Sequence, residues 1–296
     1  MDWDFEFHRP VMIAEVTQWM NLHNEGIYCD CTVGGAGHLV AMLEATKKAK
    51  FIGIDWDPDA ISFSQKRIKP YGKRCLLFED NFLNLGSILD KLHIKTIDGV
   101  FFDLGVSYHQ LITAERGLSF EREGRLLMQM SPKNPSLLVM LKRTTKEEII
   151  QVLKEYGDVR HCRKIGTLIF KERTNLNTTR DLRNLIERAT PRKFLKKNLH
   201  KIFQAFRIWI NDELANLKTG IITAVERLNS DARILVISYH SGEDRIVKHF
   251  FRNLQTKGEL NILTKKVMRP HADEVKNNPR ARSAKLRVGE KCVACS

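Results

Sequence analysis

The stretch that decides the fold is "DCTVGGAGH", residues 30–38, in which three glycines and an alanine crowd the positions before a histidine. It ends the short apolar run "GIYCDCTV" and leads into "HLVAMLEATKKA", which predicts a helix. Glycine between a strand and a helix lets backbone N–H groups and the helix N-terminus approach a ligand without side-chain clashes. A sharp turn also needs glycine, so the stretch by itself indicates either a tight turn or a ligand site.

Alternating strands and helices fill the first hundred residues. The apolar runs "FIGID", "RCLLFED" and "IDGVFFDLGV" are separated by the helical segments "DPDAISFSQKRI" and "LGSILDKL". This rhythm predicts a parallel, doubly wound α/β sheet.

The rhythm stops between about Tyr108 and about Leu199, where helical segments such as residues 144–157 replace strands. Residues 202–228 then predict a long amphipathic helix, and strands return in "ARILVISYH", "LNILTKKVM" and "SAKLRVGE". The sequence therefore predicts one α/β domain, residues 1–107 and 200–296, interrupted by an all-helical domain over residues 108–199.

The net charge of +14 is concentrated in one part of the 296-residue chain. Residues 142–207 contain 18 Lys and Arg against 7 Asp and Glu, a net charge of +11. A solvated basic face is one interpretation, but this concentration favours a module that faces nucleic acid.

Location and metal content are constrained by simpler features. No apolar run is long enough to span a membrane, and "MDWDFEFHRP" lacks a signal-peptide pattern, so we expect a cytoplasmic protein, although a processed organelle protein could look the same. The six cysteines include a single C-x-x-C, Cys292 to Cys295, which favours reduced thiols over a metal site. We expect no metal.

Polar residues follow several predicted strands. Asp55 ends the second strand, where an acidic residue suits the ribose hydroxyls of NAD or S-adenosylmethionine, although it could instead cap the helix that begins at Pro58. "EDNF", residues 79–82, could hold an adenine, and Asp103 ends the fourth strand. Ligands of open α/β sheets bind at this edge. The chain lacks an evident Tyr-x-x-x-Lys pattern, which disfavours a dehydrogenase.

Seven blocks of the chain resemble, in order, the signature blocks of the bacterial small-subunit ribosomal RNA cytosine-N4 methyltransferases (RsmH, also called MraW). They are "DCTVGGAGH", "IDWDP", "DLGVSYHQL", "AERGLSF", "FQAFRIWINDEL", "ISYHSGEDRIVK" and "NPRARSAKLR". The resemblance runs from His8 to about Arg287. It implies a class I (Rossmann-like) methyltransferase with a mostly parallel seven-stranded sheet and an inserted helical substrate domain. It also implies S-adenosylmethionine as cofactor and 16S ribosomal RNA of the small ribosomal subunit as partner, with the exocyclic N4 amine of a decoding-region cytidine as target.

The resemblance also assigns site residues. The family's cofactor contacts fall on Ala36, Gly37, His38, Asp55, Phe82, Asp103 and Gln110. The residues expected to contact RNA are Arg116, Arg163, Lys164, Arg207, Asn211, His240, Arg280 and Arg282. No catalytic base is assigned, and the oligomeric state is left open.

This chain departs from the family pattern in two places. Ala36 stands where the family usually has glycine, which is a small change if the backbone φ there is negative and a costly one if it is positive. Residues 124–131 read "GRLLMQMS" where the family typically reads Gly-Pro-Leu-Asp-Met-Arg-Met-Asp, so Leu127, Gln129 and Ser131 replace charged residues. We call residues 124–131 the divergent loop. Either the loop is repacked with no loss, or the substrate side is impaired and the protein is an RNA-binding or ribosome-assembly factor.

Overall fold

The computed structural model describes residues 10–293 and divides the chain into two compact units. The sheet unit comprises Met1–Ser107 and Leu214–Ser296, and the helical unit is Tyr108–Glu213. A helix at Arg192–Asn211 runs across residue 199, where the sequence predicts the return to the α/β domain. It stays in the helical unit because it packs against the helices at Lys146–Glu155 and Thr179–Ala189.

Seven strands form one sheet in the order β3-β2-β1-β4-β5-β7-β6. The strands are β1 (Ile27–Asp30), β2 (Lys50–Asp55), β3 (Cys75–Glu79), β4 (Ile97–Asp103), β5 (Leu228–Ser238), β6 (Leu260–Ile262) and β7 (Lys285–Lys291). Strands β1 to β5 pair in parallel, and β7 is antiparallel to both β5 and β6. The strand order reverses between β1 and β4, which places a topological switch point at their carboxyl ends.

Helices connect the strands of the sheet and make up the inserted region. In chain order they are α1 (Ile13–Trp19), α2 (Gly37–Glu44), α3 (Pro58–Ile68), α4 (Leu85–Lys91), α5 (Tyr108–Ile112), α6 (Leu137–Arg143), α7 (Lys146–Glu155), α8 (Cys162–Glu172), α9 (Thr179–Ala189), α10 (Arg192–Asn211), α11 (Glu213–Glu226), α12 (Ser241–Thr256) and α13 (Ala272–Asn277). None of the helices within residues 10–293 is long and apolar enough to cross a membrane.

The core of the sheet unit lies on both faces of the sheet. Neighbouring strand residues point to opposite faces, so Phe101 packs with Tyr28 and Phe51, whereas Phe102 packs with Ile54. Burial on both faces explains why these strands read as continuous apolar runs. The mostly parallel seven-stranded sheet and the inserted helical region implied by the resemblance are confirmed.

Two predicted elements differ in detail. The long helix predicted over residues 202–228 is broken at Asp212, whose left-handed φ of 49° ends α10; aspartate tolerates this conformation better than most residues. The strand predicted at "LNILTKKVM" stops at Ile262, because the Thr264 hydroxyl rather than a backbone carbonyl accepts the Val288 N–H, at 3.0 Å.

Candidate functional site

The glycine loop, residues 31–36, joins β1 to α2 at the switch point. Gly34 has a φ of 50° and donates its N–H to Asp55 Oδ2 at 2.8 Å. Ala36 is fully buried and has a φ of 57° at the N-cap of α2. The glycine-to-alanine departure therefore falls on the costly side, since an L residue is strained in the left-handed region.

The first turn of α2 is covered by the chain at Pro10 and Val11. A Cβ on Gly37 would lie 2.5 Å from Pro10 Cγ, so the close approach of this segment requires glycine. The buried His38 ring has its Nε2 2.8 Å from the Val11 carbonyl oxygen and its centroid 4.7 Å from that of Phe101. These contacts fix the orientation of the His38 ring. Its Nδ1 lies 3.8 Å from an Asp103 carboxylate oxygen.

Asp55 ties the glycine loop to the end of β2. Its Oδ2 accepts the Gly34 N–H, and its Oδ1 accepts the Asp57 N–H at 2.9 Å. Burial raises the pKa of Asp55 to about 6, although the hydrogen bonds from Asp57 and Gly34 oppose the rise. The N-cap of α3 is Asp57, whose carboxylate accepts the N–H of Asp59 in the first turn. Asp57 rather than Asp55 therefore caps this helix.

Asp103 at the end of β4 is held from several sides. Its Oδ1 accepts the Tyr239 hydroxyl at 2.8 Å, and its backbone N–H donates to Thr32 Oγ1 at 2.6 Å. Burial raises the pKa of Tyr239 well above its usual value, and the negative charge of Asp103 adds to the rise. Tyr239 therefore remains a protonated donor to Asp103.

Asp30, the last residue of β1, is a third carboxyl group at this edge and was not among the site residues predicted from the sequence. It is 1% exposed and accepts the Thr32 N–H at 3.0 Å. Burial raises the pKa of Asp30 to about 8, and the negative charges of Asp103 and Asp55 add to the rise. The signal in the sequence was its position, since Asp30, Asp55 and Asp103 are each the last residue of a strand.

Phe82 follows β3, and His240 follows β5. The Phe82 ring packs edge-on against Phe102, with 5.5 Å between centroids, in a space that a Cβ on Gly220 would fill. The His240 Nδ1 accepts the Gly242 N–H at 3.2 Å and caps α12. His240 Nε2 lies 3.0 Å from the buried Glu243 carboxylate. These contacts give His240 a definite structural role.

Arg280 and Arg282 lie in a short helical turn, Pro279–Ser283, which precedes β7. Both side chains are exposed, while Ala281 between them is buried. Because Lys285 of β7 pairs with the last residue of β5, this turn lies at the carboxyl edge of the parallel strands.

In the helical unit, the predicted residues fall into two groups. Arg163 and Lys164 are exposed at the start of α8. Gln110 is buried on α5, and Arg116 donates from Nη1 to the Met130 carbonyl oxygen at 3.2 Å.

Arg207 is also held within the helical unit. Its guanidinium makes two hydrogen bonds to the Glu213 carboxylate, at 2.8 and 2.9 Å. Both side chains are largely buried, with 13% of Arg207 and 10% of Glu213 exposed.

Asn211 anchors the divergent loop. It is 1% exposed, its Oδ1 accepts the Met130 N–H at 2.8 Å, and its Nδ2 donates to the Met128 carbonyl oxygen at 2.9 Å. The amide also bonds Asn134 Nδ2 and the Arg207 carbonyl oxygen. This side chain, read in the sequence as an RNA contact, is thus surrounded by the backbone of its own unit.

The divergent loop alternates between buried and half-buried side chains. Leu126, Met128 and Met130 are buried, whereas Leu127 and Gln129 are half-buried. Ser131, the third departure from the family pattern, is buried as well. The apolar positions that the chain shares with the family pattern are therefore those that pack the loop.

Around the glycine loop, the sheet unit combines buried aspartate side chains, a helix N-terminus without a side-chain cap and an aromatic ring that follows β3. Carboxylates here can accept from ligand hydroxyls and attract a cation. The described residues contain no group of three or more His, Cys, Asp or Glu side chains that could hold a metal ion.

Comparison with known proteins places the chain in a family. The model of the MraW methylase family matches residues 6–292. A "Ribosomal RNA small subunit methyltransferase H" of Carboxydothermus hydrogenoformans is 38% identical, over 96% of this chain and 97% of that protein. Proteins of the same name from Thermotoga neapolitana and Halothermothrix orenii are each 40% identical, the former over 96% of both chains and the latter over 97% of this chain and 99% of its own. The family resemblance read from the sequence is confirmed, and the chain belongs to the MraW methylase family.

Proposed function

We propose that this protein uses S-adenosylmethionine to methylate small-subunit ribosomal RNA, at the exocyclic N4 amine of a cytidine in the decoding region. The observation that carries the proposal is the set of three aspartate side chains, Asp30, Asp55 and Asp103, around a glycine loop at the switch point. Family membership and the names of the relatives support ribosomal RNA of the small subunit as substrate.

The residues at the switch point fit this cofactor by chemistry. S-adenosylmethionine carries a positive sulfonium, an ammonium group, two ribose hydroxyls and an adenine. Each Asp55 oxygen accepts one backbone N–H and retains capacity to accept a ribose hydroxyl. Asp103 provides negative charge for the cationic groups, the protonated Asp30 carboxyl group can donate or accept a hydrogen bond, and Phe82 offers an aromatic surface to the adenine.

When bound, the cofactor would supply an electrophilic methyl group on its sulfonium: the cytosine amine would form the N–C bond and lose one proton, while the C–S bond breaks and S-adenosylhomocysteine leaves as the neutral thioether. The protein's contribution is alignment, because the amine is conjugated and weakly nucleophilic and must be held in line with the methyl group. Tyr239 and Thr32 hold Asp103 in one orientation, and Asp55 fixes the loop. We assign no general base.

The target base must be unpaired or flipped to be reached. We propose that the helical unit, residues 108–213, is the substrate-recognition domain and that its exposed cations, including Arg163 and Lys164, bind phosphates. Arg280 and Arg282 of the sheet unit are further candidates. The affinity for RNA would then fall steeply with salt. A cytoplasmic location follows from this substrate.

The test is incorporation of labelled methyl groups into small subunits that lack the modification, followed by mapping of the labelled base. We expect one labelled decoding-region cytidine. Label on another base, or on the C5 carbon of cytosine, would contradict the proposed N4 specificity and show that the protein methylates a different position of ribosomal RNA. Cofactor binding without incorporation would contradict the proposed activity.

The divergent loop supports a second candidate, an RNA-binding or assembly factor without turnover. Leu127, Gln129 and Ser131 lack the charges typical of the family at a loop expected to border the reaction. Because Leu127 and Gln129 are half-buried while Ser131 is buried, the double variant Leu127→Asp with Gln129→Arg restores charge without placing a carboxylate in the interior. An inactive natural protein with an active double variant would establish this second candidate.

A further inference from the structure

Helix α10 presents an exposed aromatic ring near its N-terminus. The exposed large apolar side chains within residues 10–293 are Leu76, Val139, Phe194, Ile222 and Val293, and Phe194 is the aromatic one. It is 40% exposed, in the first turn of α10. The apolar stripe of the same helix, including Leu199, Phe203 and Phe206, is buried, so Phe194 lies outside the core-facing stripe.

The ring is surrounded by positive charge. Residues 192–197 read "RKFLKK", with four exposed cations and no acidic residue. The Lys193 ammonium lies over the Phe194 ring, 4.9 Å from its centroid. Lys196 is 4.0 Å from a Glu121 oxygen, whereas Arg192 and Lys197 have no carboxylate within salt-bridge distance among the described residues.

The start of α10 adds to this positive field. Its N-cap is Pro191, whose side chain cannot accept from the N–H groups of the first turn. A helix of 20 residues has a positive dipole end there. Phosphate is therefore favoured beside the ring by side chains and backbone together.

We propose that Phe194 is a stacking platform for an unpaired RNA base, with Lys193 and Lys197 binding the flanking phosphates. An exposed aromatic face among exposed cations is the arrangement with which proteins bind single-stranded nucleic acid. In a duplex both faces of a base are covered by its neighbours, so this surface selects single-stranded RNA. The inference rests on the proposed function in one respect, that the polyanion is RNA.

The test compares the full-length protein with Phe194→Ala on two probes, a fluorescein-labelled 12-nucleotide single-stranded RNA and the same strand in a 12-base-pair duplex. Stacking of one base predicts that Phe194→Ala weakens single-strand binding by about 5- to 100-fold and leaves duplex binding within about 2-fold. The Phe194→Trp variant retains the π face and should bind the single strand as tightly as the natural protein.

A salt series separates stacking from charge. Phe194→Ala should leave the slope of log affinity against log salt unchanged, whereas Lys197→Ala should reduce its magnitude by about 0.7. Ile222→Ala in the sheet unit is a matched control, because Ile222 is 43% exposed but stands outside this basic cluster. It should change neither affinity nor slope.

The proposal is overturned if the natural protein does not bind the single strand at low salt, if Phe194→Ala binds it normally, or if duplex binding falls equally. These outcomes are distinguishable from failure of the proposed function. If the natural protein methylates small subunits but Phe194→Ala does not change RNA binding, the stacking proposal is wrong and the proposed function stands. If Phe194→Ala selectively loses single-strand binding but the natural protein methylates no ribosomal RNA, the stacking proposal stands and the proposed activity is wrong.

Discussion

The glycine loop of the sheet unit and the divergent loop of the helical unit both contain a strained backbone position, and different side chains hold the two loops in place. Each loop contains a buried non-glycine residue in the left-handed region, Ala36 with a φ of 57° and Met128 with a φ of 60°. Such residues cost free energy and persist where the surroundings fix them. Both loops are therefore held by contacts outside their own sequence.

The two loops differ in the side chain that holds them. The Asp55 carboxylate accepts from Gly34 in the glycine loop, whereas the Asn211 amide both donates to Met128 and accepts from Met130. A carboxylate anchor can also attract a cation, but its strength depends on pH. A neutral amide satisfies a carbonyl and an N–H at once and is indifferent to pH. The loop beside the proposed cationic cofactor is the one with an ionisable anchor.

The largest effect is expected when the amide anchor is removed. Asn211→Ala leaves a buried N–H on Met130 and a buried carbonyl on Met128 without their partner, so we expect the free energy of unfolding to fall by about 3 kcal/mol. Urea unfolding measures it. Asn198→Ala is the control on the same helix, since Asn198 makes one long bond to Thr190, at 3.4 Å, and should cost about 1 kcal/mol or less. Equal losses in the two variants would mean that Asn211 does not anchor the loop.

The pH dependence of the acidic edge is the next largest effect. Asp30 holds its proton up to a pKa of about 8 in the folded protein, whereas the unfolded chain releases it near pH 4. Between these values the folded state binds one proton more, so the free energy of unfolding falls as pH rises. Between pH 6 and pH 8 we expect the natural protein to lose about 2 kcal/mol more than Asp30→Asn, measured by urea unfolding. Parallel pH profiles for the two proteins would exclude a protonated Asp30.

The sequence was informative about the acidic edge because its signals are local. Asp55, Phe82 and Asp103 each follow an apolar strand, so position along the chain is enough to bring them to one edge. Tyr239 was not foreseen, since its hydroxyl reaches Asp103 across 136 residues of sequence and no spacing encodes that contact. The position of Asp30 at the end of a strand could have identified it as a site residue, but the sequence prediction rested on the glycines that follow it.

The helical unit was less predictable, because its contacts are long-range and its backbone irregular. Asn211 bonds the divergent loop across 81 residues, and Arg207 pairs with Glu213 just beyond the end of α10. A polar residue on an amphipathic helix has the same sequence pattern whether it binds RNA or a neighbouring loop. Their assignment as RNA contacts stays a prediction, and Asn211→Ala reports on the structural role.

A smaller effect is expected at the acidic edge itself, from Tyr239→Phe. This variant removes the hydroxyl that orients Asp103 while keeping the ring, so we expect binding of S-adenosylhomocysteine to weaken by about 3- to 10-fold in calorimetry. Tyr28→Phe is the matched control, because the buried Tyr28 hydroxyl accepts the His23 N–H rather than touching Asp103. Unchanged binding in Tyr239→Phe would show that Asp103 needs no such support.

The smallest change in stability is expected for Ala36→Gly. Glycine relieves left-handed strain of about 1 kcal/mol, but it also removes a fully buried methyl group worth about 0.8 kcal/mol, so the two effects nearly cancel. Met128→Gly relieves the same strain yet empties the space of a whole buried side chain, and should destabilise by about 3 kcal/mol. If Ala36→Gly destabilises as strongly as Met128→Gly, packing rather than backbone strain governs both loops, and the family's glycine at this position reflects something other than its φ.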